Sequence, residues 1–461
     1  MVTAQTSIRE ICHLMRRAGF GVNYKKLPQI SIKTYEEIVD DLINFGSESR
    51  FDDHLIRRYF LELNNSDTVN AWRGEWIYRM VNSKRPLEEK MALFWHHLFA
   101  TSVGKSEHGP SSVIQIETFR TLALAKFEDI LIAVARDPAM LFWLDNNENH
   151  LGEPNENWGR ELLELFSMGV GNYTEDDIKQ ASRAFTGWTF TQPLPLDPYG
   201  RYDSDFHYNP EDHDNELKSF LGHTGNLNGE DIIRIIVKQN ATATFIARHL
   251  YNFFIADEPQ VPSWNITPPK DQEAIDFLVE CFLTHKGDMR EVMRQLFLSD
   301  FFRSSVATRV KSPAELVAGV VVTAGTHDFP NSSLPSLGSA AANMGQNLMT
   351  PPTVEGWHYG HEWIDGGTLN NRVNFAAIHI SQAIEMGVFP LEELVDQGTQ
   401  FNTNDLLDQC LYYLGMTEIS DETRHELLDS SDDILDSKQD FKGKIISIAR
   451  LIVSTIDYQF A

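Results

Sequence analysis

A polar segment between Asp145 and Glu164 carries the densest set of side chains that could bind a cation. Its oxygen-bearing residues fall at loop positions 1, 3, 5, 9 and 12 between two predicted helices: Asp145, Asn147, Asn149, Glu153 and Glu156. This is the ligand spacing of a helix–loop–helix calcium site. Position 6, however, is His150, where such loops need glycine, and a glycine comes only at Gly152. The segment therefore predicts either a site for calcium or another hard cation, or a polar loop that caps two helices.

The helix that follows this loop carries two carboxylates. Glu161 and Glu164 are three residues apart, so they share one helix face, and Arg160 is adjacent to the first. Two acids at this spacing can bind a metal ion or act as an acid–base pair whose pKa values diverge. Arg160 would then bind an anion or one of the carboxylates. Alternatively, these side chains form an ion-pair network that holds buried acids.

Histidines supply further candidate ligands and bases. His96 and His97 are neighbours in the apolar stretch ALFWHHLFA, and adjacent helical residues point about 100° apart, so only one can face a given site. A histidine among aromatic residues is either a hydrogen-bonded core residue, or a metal ligand or general base. His213 and Asp214, near Lys218, could coordinate a metal or transfer a proton, but no third ligand stands at a fixed spacing from them.

Helices must position these side chains, because the helical hydrophobic period dominates the sequence. Apolar stripes predict helices that include 35–45, 86–100, 156–168, 174–187, 440–456 and a longer one at 113–136 that breaks near Lys126. The stretch WTFTQ (188–192) is typical of a short strand. We therefore expect an all-α fold, a single large multi-helical domain with long ordered aromatic loops. Residues 1–415 would form the main helical domain, and 416–461 an acidic hinge and a C-terminal helix that packs back on it.

Two long stretches interrupt the helical pattern, at 191–228 and 325–370. Loops of this length in a compact domain are usually functional or disordered. Their Trp, Tyr and His residues, Tyr199 and Tyr202 among them, favour ordered, packed loops. The second stretch contains PPTVEGWHYGHEW (351–363), which is typical of a rigid aromatic turn. Such a turn either packs a long loop or forms a stacking platform for a sugar or another ring.

Charge and apolar run length limit the classes of partner. The 39 Lys and Arg residues against 66 Asp and Glu give a formal net charge of -27. Such a surface repels phosphate backbones and anionic lipids, so we expect no nucleic-acid partner. The apolar runs are too short for a membrane span or a signal peptide, so we expect no membrane insertion and, for the chain as written, a cytoplasmic location.

Several common catalytic and metal-binding motifs are absent from the sequence. It contains no G-x-S-x-G, P-loop, G-x-G-x-x-G or H-E-x-x-H pattern, which disfavours serine hydrolases, NTPases, Rossmann dehydrogenases and zincins. The three cysteines, Cys12, Cys281 and Cys410, lie far apart without C-x-x-C spacing. They therefore predict neither a zinc cage nor a disulfide framework.

Long blocks of the chain resemble the bacterial domain-of-unknown-function 1800 family. The blocks that carry the resemblance are HLMRRAGFG (13–21), MALFWHHLFATS (91–102), ARDPAMLFWLDNNEN (135–149), PNENWGRELLELFSMGVGNYTEDDIKQASRAFTGW (154–188), HDNELKSFLG (213–222), KSPAELVAG (311–319), PPTVEGW (351–357) and IVSTIDYQF (452–460). Together they span essentially the whole chain. The resemblance implies a mainly helical protein. It also implies a sulfatase- or phosphatase-like partner protein, since many members are encoded beside one, and many members are exported. It implies no particular reaction.

Two functional hypotheses follow. In the first, the protein is a metal-dependent enzyme, hydrolytic or oxidative, with a divalent cation such as calcium or a transition metal. Its catalytic residues would be His96, Arg160, Glu161, Glu164 and His213, and its metal ligands Asp145, Asn147, Asn149, Glu156 and Asp214. In the second, it is a non-catalytic binding or assembly protein in which the same polar block is a structural ion-pair or cation site. An enzyme gathers polar groups around an open cavity, whereas a structural network is closed and fully paired.

Overall fold

A computed structural model describes residues 6–44, 53–59, 69–106, 108–191, 204–261, 264–388 and 402–461. Most of these residues are helical, which confirms the all-α prediction. The α-helices are Ile8–Arg17, Leu27–Ile30, Tyr35–Ile43, Asp53–Tyr59, Val69–Asn82, Pro86–Leu98, Val103–Ser106, Gly109–Thr121, Phe127–Arg136, Pro138–Trp143, Asn157–Glu164, Glu175–Ala184, Gly229–Ile236, Asn240–Phe254, Gln272–Thr284, Met289–Leu298, Asp300–Ser304, Pro313–Ala324, Leu334–Asn343, Gly366–Glu385, Thr403–Tyr413, Asp421–Asp436, Phe441–Ser454 and Ile456–Gln459.

The Pro86–Leu98 helix runs through the centre of the core. Proline in its first turn costs no hydrogen bond, because the N–H groups of that turn have no partner within the helix. Every residue from Leu87 to Leu98 is buried, so this helix has no solvent-facing side. It packs against Gly109–Thr121 and Val69–Asn82. Burial of a side chain such as Phe94 contributes about 1.5–3 kcal/mol to the stability of the fold. Because the helix is enclosed on all sides, its packing fixes the directions in which His96 and His97 point.

The described part of the chain contains only two short two-stranded sheets, both antiparallel. Trp188–Phe190 pairs with Phe206–Tyr208, which confirms the strand predicted at WTFTQ. Lys218–Phe220 pairs with His223–Gly225. Residues 192–203 of the predicted aromatic loop, including Tyr199 and Tyr202, lie outside the described residues.

Several predicted boundaries differ from the observed ones, for local reasons. The predicted 113–136 helix divides at residues 122–126, where the Phe127 N–H donates to the carbonyl of Gly287 at 2.8 Å. Within the predicted loop 325–370 there is a helix, Leu334–Asn343, which packs against Val69–Asn82. Its small residues allow close backbone contact: a Cβ at Gly74 would lie 2.3 Å from the Leu334 carbonyl oxygen. Such a helix lacks the large apolar stripe that periodicity detects.

The acidic segment expected to be a hinge is largely helical. Asp421–Asp436 is capped by Ser420, whose Oγ accepts from the Thr423 N–H at 3.2 Å. Its buried side chains follow a four-residue spacing at Thr423, Leu427 and Ser431, and it packs against Thr403–Tyr413 and Phe441–Ser454. The C-terminal helix Phe441–Ser454 packs in turn on Gly366–Glu385. The division of the chain at residue 415 stays a prediction. None of the helices in the described ranges is both long and apolar enough to cross a membrane.

Candidate functional site

An open cavity of about 510 Å³ lies between the end of the Asn157–Glu164 helix and the Asn240–Phe254 helix; we call it the Glu164 cleft. Residues 168–172, the segment around Trp264 and the turn at Glu355 complete its walls. Its polar lining consists of Glu164, Asn172, Asn240, Thr244, Arg248, Asn265 and Glu355, and Phe245 and Trp264 are its aromatic members. Polar groups around an open apolar-walled cavity are the arrangement expected of a ligand site.

One carboxylate of the pair predicted from the sequence, Glu164, lines this cleft, and the other, Glu161, lies next to it on the same helix. Glu161 and Glu164 are both half-buried on one face of the helix, and Glu164 accepts a hydrogen bond from the Tyr173 hydroxyl at 3.2 Å. Burial, and then the negative charges of Glu164 and Glu355, raise the pKa of Glu161 to about 7, although Arg160 opposes the shift. Both acids also occupy the last helical turn, where the negative end of the helix dipole disfavours a carboxylate. Glu161 is therefore partly protonated near neutral pH.

Arg160, which was expected to bind an anion or one of these acids, turns to other partners. Its guanidinium bonds Glu175 at 2.9 Å and Glu156 at 3.2 Å. Both ion pairs lie at the protein surface and engage its two terminal nitrogens. Arg160 thus acts on Glu161 only through its more distant charge.

Glu355 is a member of the site that the sequence reasoning missed. It is exposed within the PPTVEGW turn, where Gly356 has φ of 83° and Trp357 is buried. A Cβ at Gly356 would lie 2.4 Å from the carbonyl oxygen of His97, so the turn fits only with glycine. The Trp357 ring packs beside the His97 ring, with 5.6 Å between their centroids. Of the two roles expected for this aromatic turn, Trp357 therefore has that of packing the loop against the core. The sequence signal that could have identified Glu355 is that it is the one charged residue of the PPTVEGW turn.

Arg248, Phe245 and Trp264 form the aromatic wall of the cleft. The Arg248 guanidinium lies over the Trp264 ring at 4.7 Å and donates through Nε to Glu258 at 2.9 Å. Its Nη2 has no acceptor among the residues that the structure describes. Behind the wall, His249 contacts both aromatic rings at 4.5 and 4.6 Å, and burial lowers its pKa to about 3. The sequence reasoning singled out none of these four residues.

His96 and His97 lie in the interior and do not line the cleft. His96 Nε2 accepts from the Met349 N–H at 3.0 Å, and His97 Nε2 donates to the Trp357 carbonyl at 2.6 Å. Burial lowers the pKa of each to about 3, so both are neutral. Their hydrogen bonds hold two segments, at Met349 and Trp357, against the central helix.

His213 and Asp214 also lie outside the cleft lining. His213 Nδ1 donates to the Thr186 carbonyl at 2.9 Å. Asp214 accepts from Arg183 at 2.6 Å. Burial raises the pKa of this carboxyl, but the hydrogen bonds from Arg183 and the Glu216 N–H and the nearby positive charges together outweigh burial, so the net shift is downward. The two residues therefore fasten the 213–220 segment to the Glu175–Ala184 helix.

The loop that follows Asp145 uses its oxygens for internal bonds. Asp145 adopts a left-handed conformation with φ of 54° and pairs with Lys105 at 2.7 Å. The buried Asn149 accepts from the Asn155 N–H at 2.9 Å and donates to the Ser182 carbonyl at 2.9 Å. These contacts are those of a loop that joins and caps its flanking helices.

Of the other candidate ligands of this loop, Glu156 is paired, whereas the Asn147 Oδ1 has no partner among the described residues. Asn147 donates to Glu148 at 2.8 Å, and Glu156 accepts from Arg160 at 3.2 Å. His150 at the missing-glycine position pairs with Asp212 at 2.6 Å, which ties the loop to the 206–213 segment. Within the described ranges, no three His, Cys, Asp or Glu side chains are arranged to hold a metal ion. The calcium assignment stays a prediction.

Comparison with known proteins supports the resemblance noted in the sequence. Residues 13–460 match the model of one family, described as Protein of unknown function (DUF1800). No curated protein and no solved structure shows a significant match. The matched range contains the carboxylate helix, the Glu355 turn and the aromatic wall of the cleft. The chain therefore belongs to the DUF1800 family.

Proposed function

We propose that the protein is an enzyme that binds a small polar substrate in the Glu164 cleft and uses Glu161 and Glu164 as an acid–base pair. The observation that carries this proposal is the pKa of Glu161, raised to about 7 beside an open cavity of about 510 Å³. A general acid or base works best when its pKa is close to the working pH. An acid whose pKa is raised by burial and by a neighbouring carboxylate meets that requirement.

The two carboxylates have different environments, which suggests different roles. Glu164 lines the cavity, and its bond from the Tyr173 hydroxyl fixes its orientation, so it is the group that meets the substrate as a base. Glu161 lies one turn back on the same face and retains a proton that the pair can share. Proton transfer by a positioned side chain contributes about 10²–10⁴-fold to a rate. Hydrolysis is the reaction class that such a pair serves most directly.

An acid–base role fits these residues better than a metal-ligand role. A catalytic metal commonly needs three protein ligands, whereas the described residues offer no His, Cys, Asp or Glu trio at ligand geometry. The non-catalytic alternative from the sequence requires a closed, fully paired network. The half-buried carboxylates and the open cavity favour an enzyme over that alternative.

The test of the pair is a carboxyl ¹³C NMR titration of the wild type, Glu164→Gln and a control, Glu426→Gln. Glu426 is an exposed helix residue away from the cleft, so its substitution removes the same charge elsewhere. We expect Glu161 to titrate near 7 in the wild type and in the control, and lower in Glu164→Gln, because a neighbouring negative charge is gone. A Glu161 titration near 4.5 in the wild type would contradict the proposal.

The test of catalysis is a panel of chromogenic glycosides, esters and amides. For a substrate that is turned over, we expect the pH profile to change near 7 and the rate to fall about 10²–10⁴-fold in Glu161→Gln and Glu164→Gln. The Glu426→Gln rate should match the wild type. Ligand binding at the cleft with an equal rate in all four proteins would instead favour the non-catalytic alternative.

A further inference from the structure

The charges around the Glu164 cleft do not balance. Glu164 and Glu355 line it, and Glu161 is close enough for both to raise its pKa. Two cations of this region already have partners: Arg160, on the same helix as Glu164, pairs with Glu156 and Glu175, and Arg248, which lines the cleft, pairs with Glu258. The cleft therefore presents negative charge that no described side chain neutralises. Like charges held together favour a ligand of opposite charge.

The aromatic wall points to the same class of ligand. Phe245 and Trp264 line the cavity beside the acids, and their ring centroids are 5.9 Å apart. Cations are attracted to aromatic faces, and the Arg248 guanidinium already lies on one face of Trp264. An aromatic wall next to carboxylates is thus suited to an organic cation.

An independent observation at Arg248 indicates a second feature of the ligand. Arg248 lines the cleft but is only 5% exposed, and its Nη2 has no acceptor within the described part of the chain. A buried donor without an acceptor costs about 1–3 kcal/mol. A ligand that brings a hydroxyl, carboxylate or amide oxygen to this end of the cleft would remove that cost.

From these contacts we infer that the ligand of the Glu164 cleft carries an ammonium group, held between Glu164 and Glu355, and a hydrogen-bond acceptor directed at Arg248. The inference rests on the proposed function, because it names the substrate class of the same cleft. Amino sugars and lysine-containing peptides share this chemistry, and they differ in the scaffold that joins the two groups.

Matched probe pairs separate the ammonium group from the scaffold. The first pair is the glucosamine trisaccharide and its neutral N-acetylglucosamine counterpart. The second is N-acetyl-lysine methylamide and N-acetyl-norleucine methylamide, which differ only in the side-chain ammonium. Calorimetric titration should show the charged member of one pair binding about tenfold or more tighter than its neutral counterpart. The pair that responds identifies the scaffold.

Substitutions at the cleft locate the binding. Glu355→Gln and Glu164→Gln should each weaken the charged probe about fivefold or more, whereas Glu426→Gln should not. Thermal unfolding close to that of the wild type shows that each variant is folded. Equal binding of charged and neutral probes, equal binding by Glu355→Gln and Glu164→Gln, or binding of neither pair would overturn the inference.

The NMR titration of Glu161 separates this inference from the proposed function. If Glu161 titrates near 7 and the neutral probes bind as well as the charged ones, the acid–base pair stands and the ammonium inference fails. If Glu161 titrates near 4.5 and neither pair binds, both fail.

Discussion

The Glu164 cleft and the Glu315 network, which we define as Lys90, Arg309 and Glu315, place acids in opposite environments. Glu315 is buried and ion-paired with both cations, and it also accepts from the Ser312 N–H at 2.8 Å. Burial alone would raise its pKa, but Arg309 and Lys90 outweigh burial and lower it to about 2. At the cleft, the pKa of Glu161 moves in the other direction, to about 7.

The two acids differ in pKa because their charged neighbours differ; burial by itself would raise both values. Lys90 is as buried as any residue of the core, and its Nζ also donates to the Gly19 carbonyl at 2.9 Å, so Glu315 has two cationic partners held in the interior. The cleft acids face one another and a cavity that solvent can enter. A buried carboxylate paired with cations serves the fold, whereas carboxylates without a cationic partner at a cavity are available to a ligand.

The largest effect should follow from removing the acid of the Glu315 network. Glu315→Ala leaves Lys90 and Arg309 buried without their counter-ion, and we expect the free energy of unfolding to fall by about 3–5 kcal/mol. Urea denaturation at pH 7 measures this, and Glu426→Ala should stay within about 0.5 kcal/mol of the wild type. A loss below 1 kcal/mol for Glu315→Ala would show that the network does not stabilise the fold.

The same variant has a defined pH dependence. The pKa of Glu315 in the folded protein is lowered from 4.5 to about 2. Its contribution to stability is therefore fully present above pH 4.5 and is lost as the pH falls from 4.5 to about 2. The difference between wild type and Glu315→Ala should therefore shrink in acid. A difference that grows in acid would contradict the assigned direction.

The next effect concerns the turn that carries Glu355 into the cleft. Gly356→Ala forces a side chain into a left-handed conformation and against the His97 carbonyl, so we expect a loss of about 2–3 kcal/mol. Gly152→Ala is the matched control: Gly152 also has positive φ, of 87°, but nothing lies within 4 Å of its added Cβ. The control should cost about 1–2 kcal/mol, the conformational part alone. Equal losses would show that the contact with His97 is unimportant.

A smaller effect should appear in the pH dependence of the cleft. Glu161 binds its proton more tightly in the folded protein, so stability falls as pH rises from 4.5 to about 7. Glu161→Gln should remove this pH dependence. We expect its size to be only about 1 kcal/mol over the interval, because solvent reaches the carboxylate and screens its charge. Urea denaturation at several pH values measures both proteins. Parallel curves would mean that Glu161 has an ordinary pKa.

The smallest effect should come from the tie between His150 and Asp212. The hydrogen bond that His150 donates to Asp212 raises the pKa of His150. Burial raises the pKa of Asp212, but the hydrogen bonds from His150 and the Leu151 N–H, with the charge of His150, together outweigh burial and lower it. Their pairing therefore stabilises the fold between about pH 3.8 and pH 6.5, and this stabilisation weakens at lower and at higher pH. Asp212→Asn should cost about 0.2–1 kcal/mol at pH 5.5 and less at pH 8.5. A double-mutant cycle with His150→Ala isolates the pair, and a cycle energy of zero would mean that the tie contributes nothing.

Local patterns predicted the parts of the site that lie within one element. Helical periodicity placed Glu161 and Glu164 on one face, and both occupy that face beside the cleft. Spacing alone could not predict the state of the loop at Asp145, because an oxygen at a ligand position can equally accept a nearby N–H. Asn149 does so with Asn155. Arg160 likewise forms ion pairs with Glu156 and Glu175 and not with Glu161 or Glu164, the carboxylates it was expected to bind.

The amino-acid sequence by itself determined the helical class, the central buried helix at 86–98, the family and the carboxylate pair, because each depends on residues close together in the chain or on whole motifs. Only the tertiary structure decided that Glu355, Arg248 and Trp264 surround that pair, since they come from three segments far from it in sequence. It also decided that His96 is an interior residue and that Glu315, not Glu161, has its charge balanced. The physical reason is that burial and charge depend on neighbours brought together by packing, which no local pattern specifies.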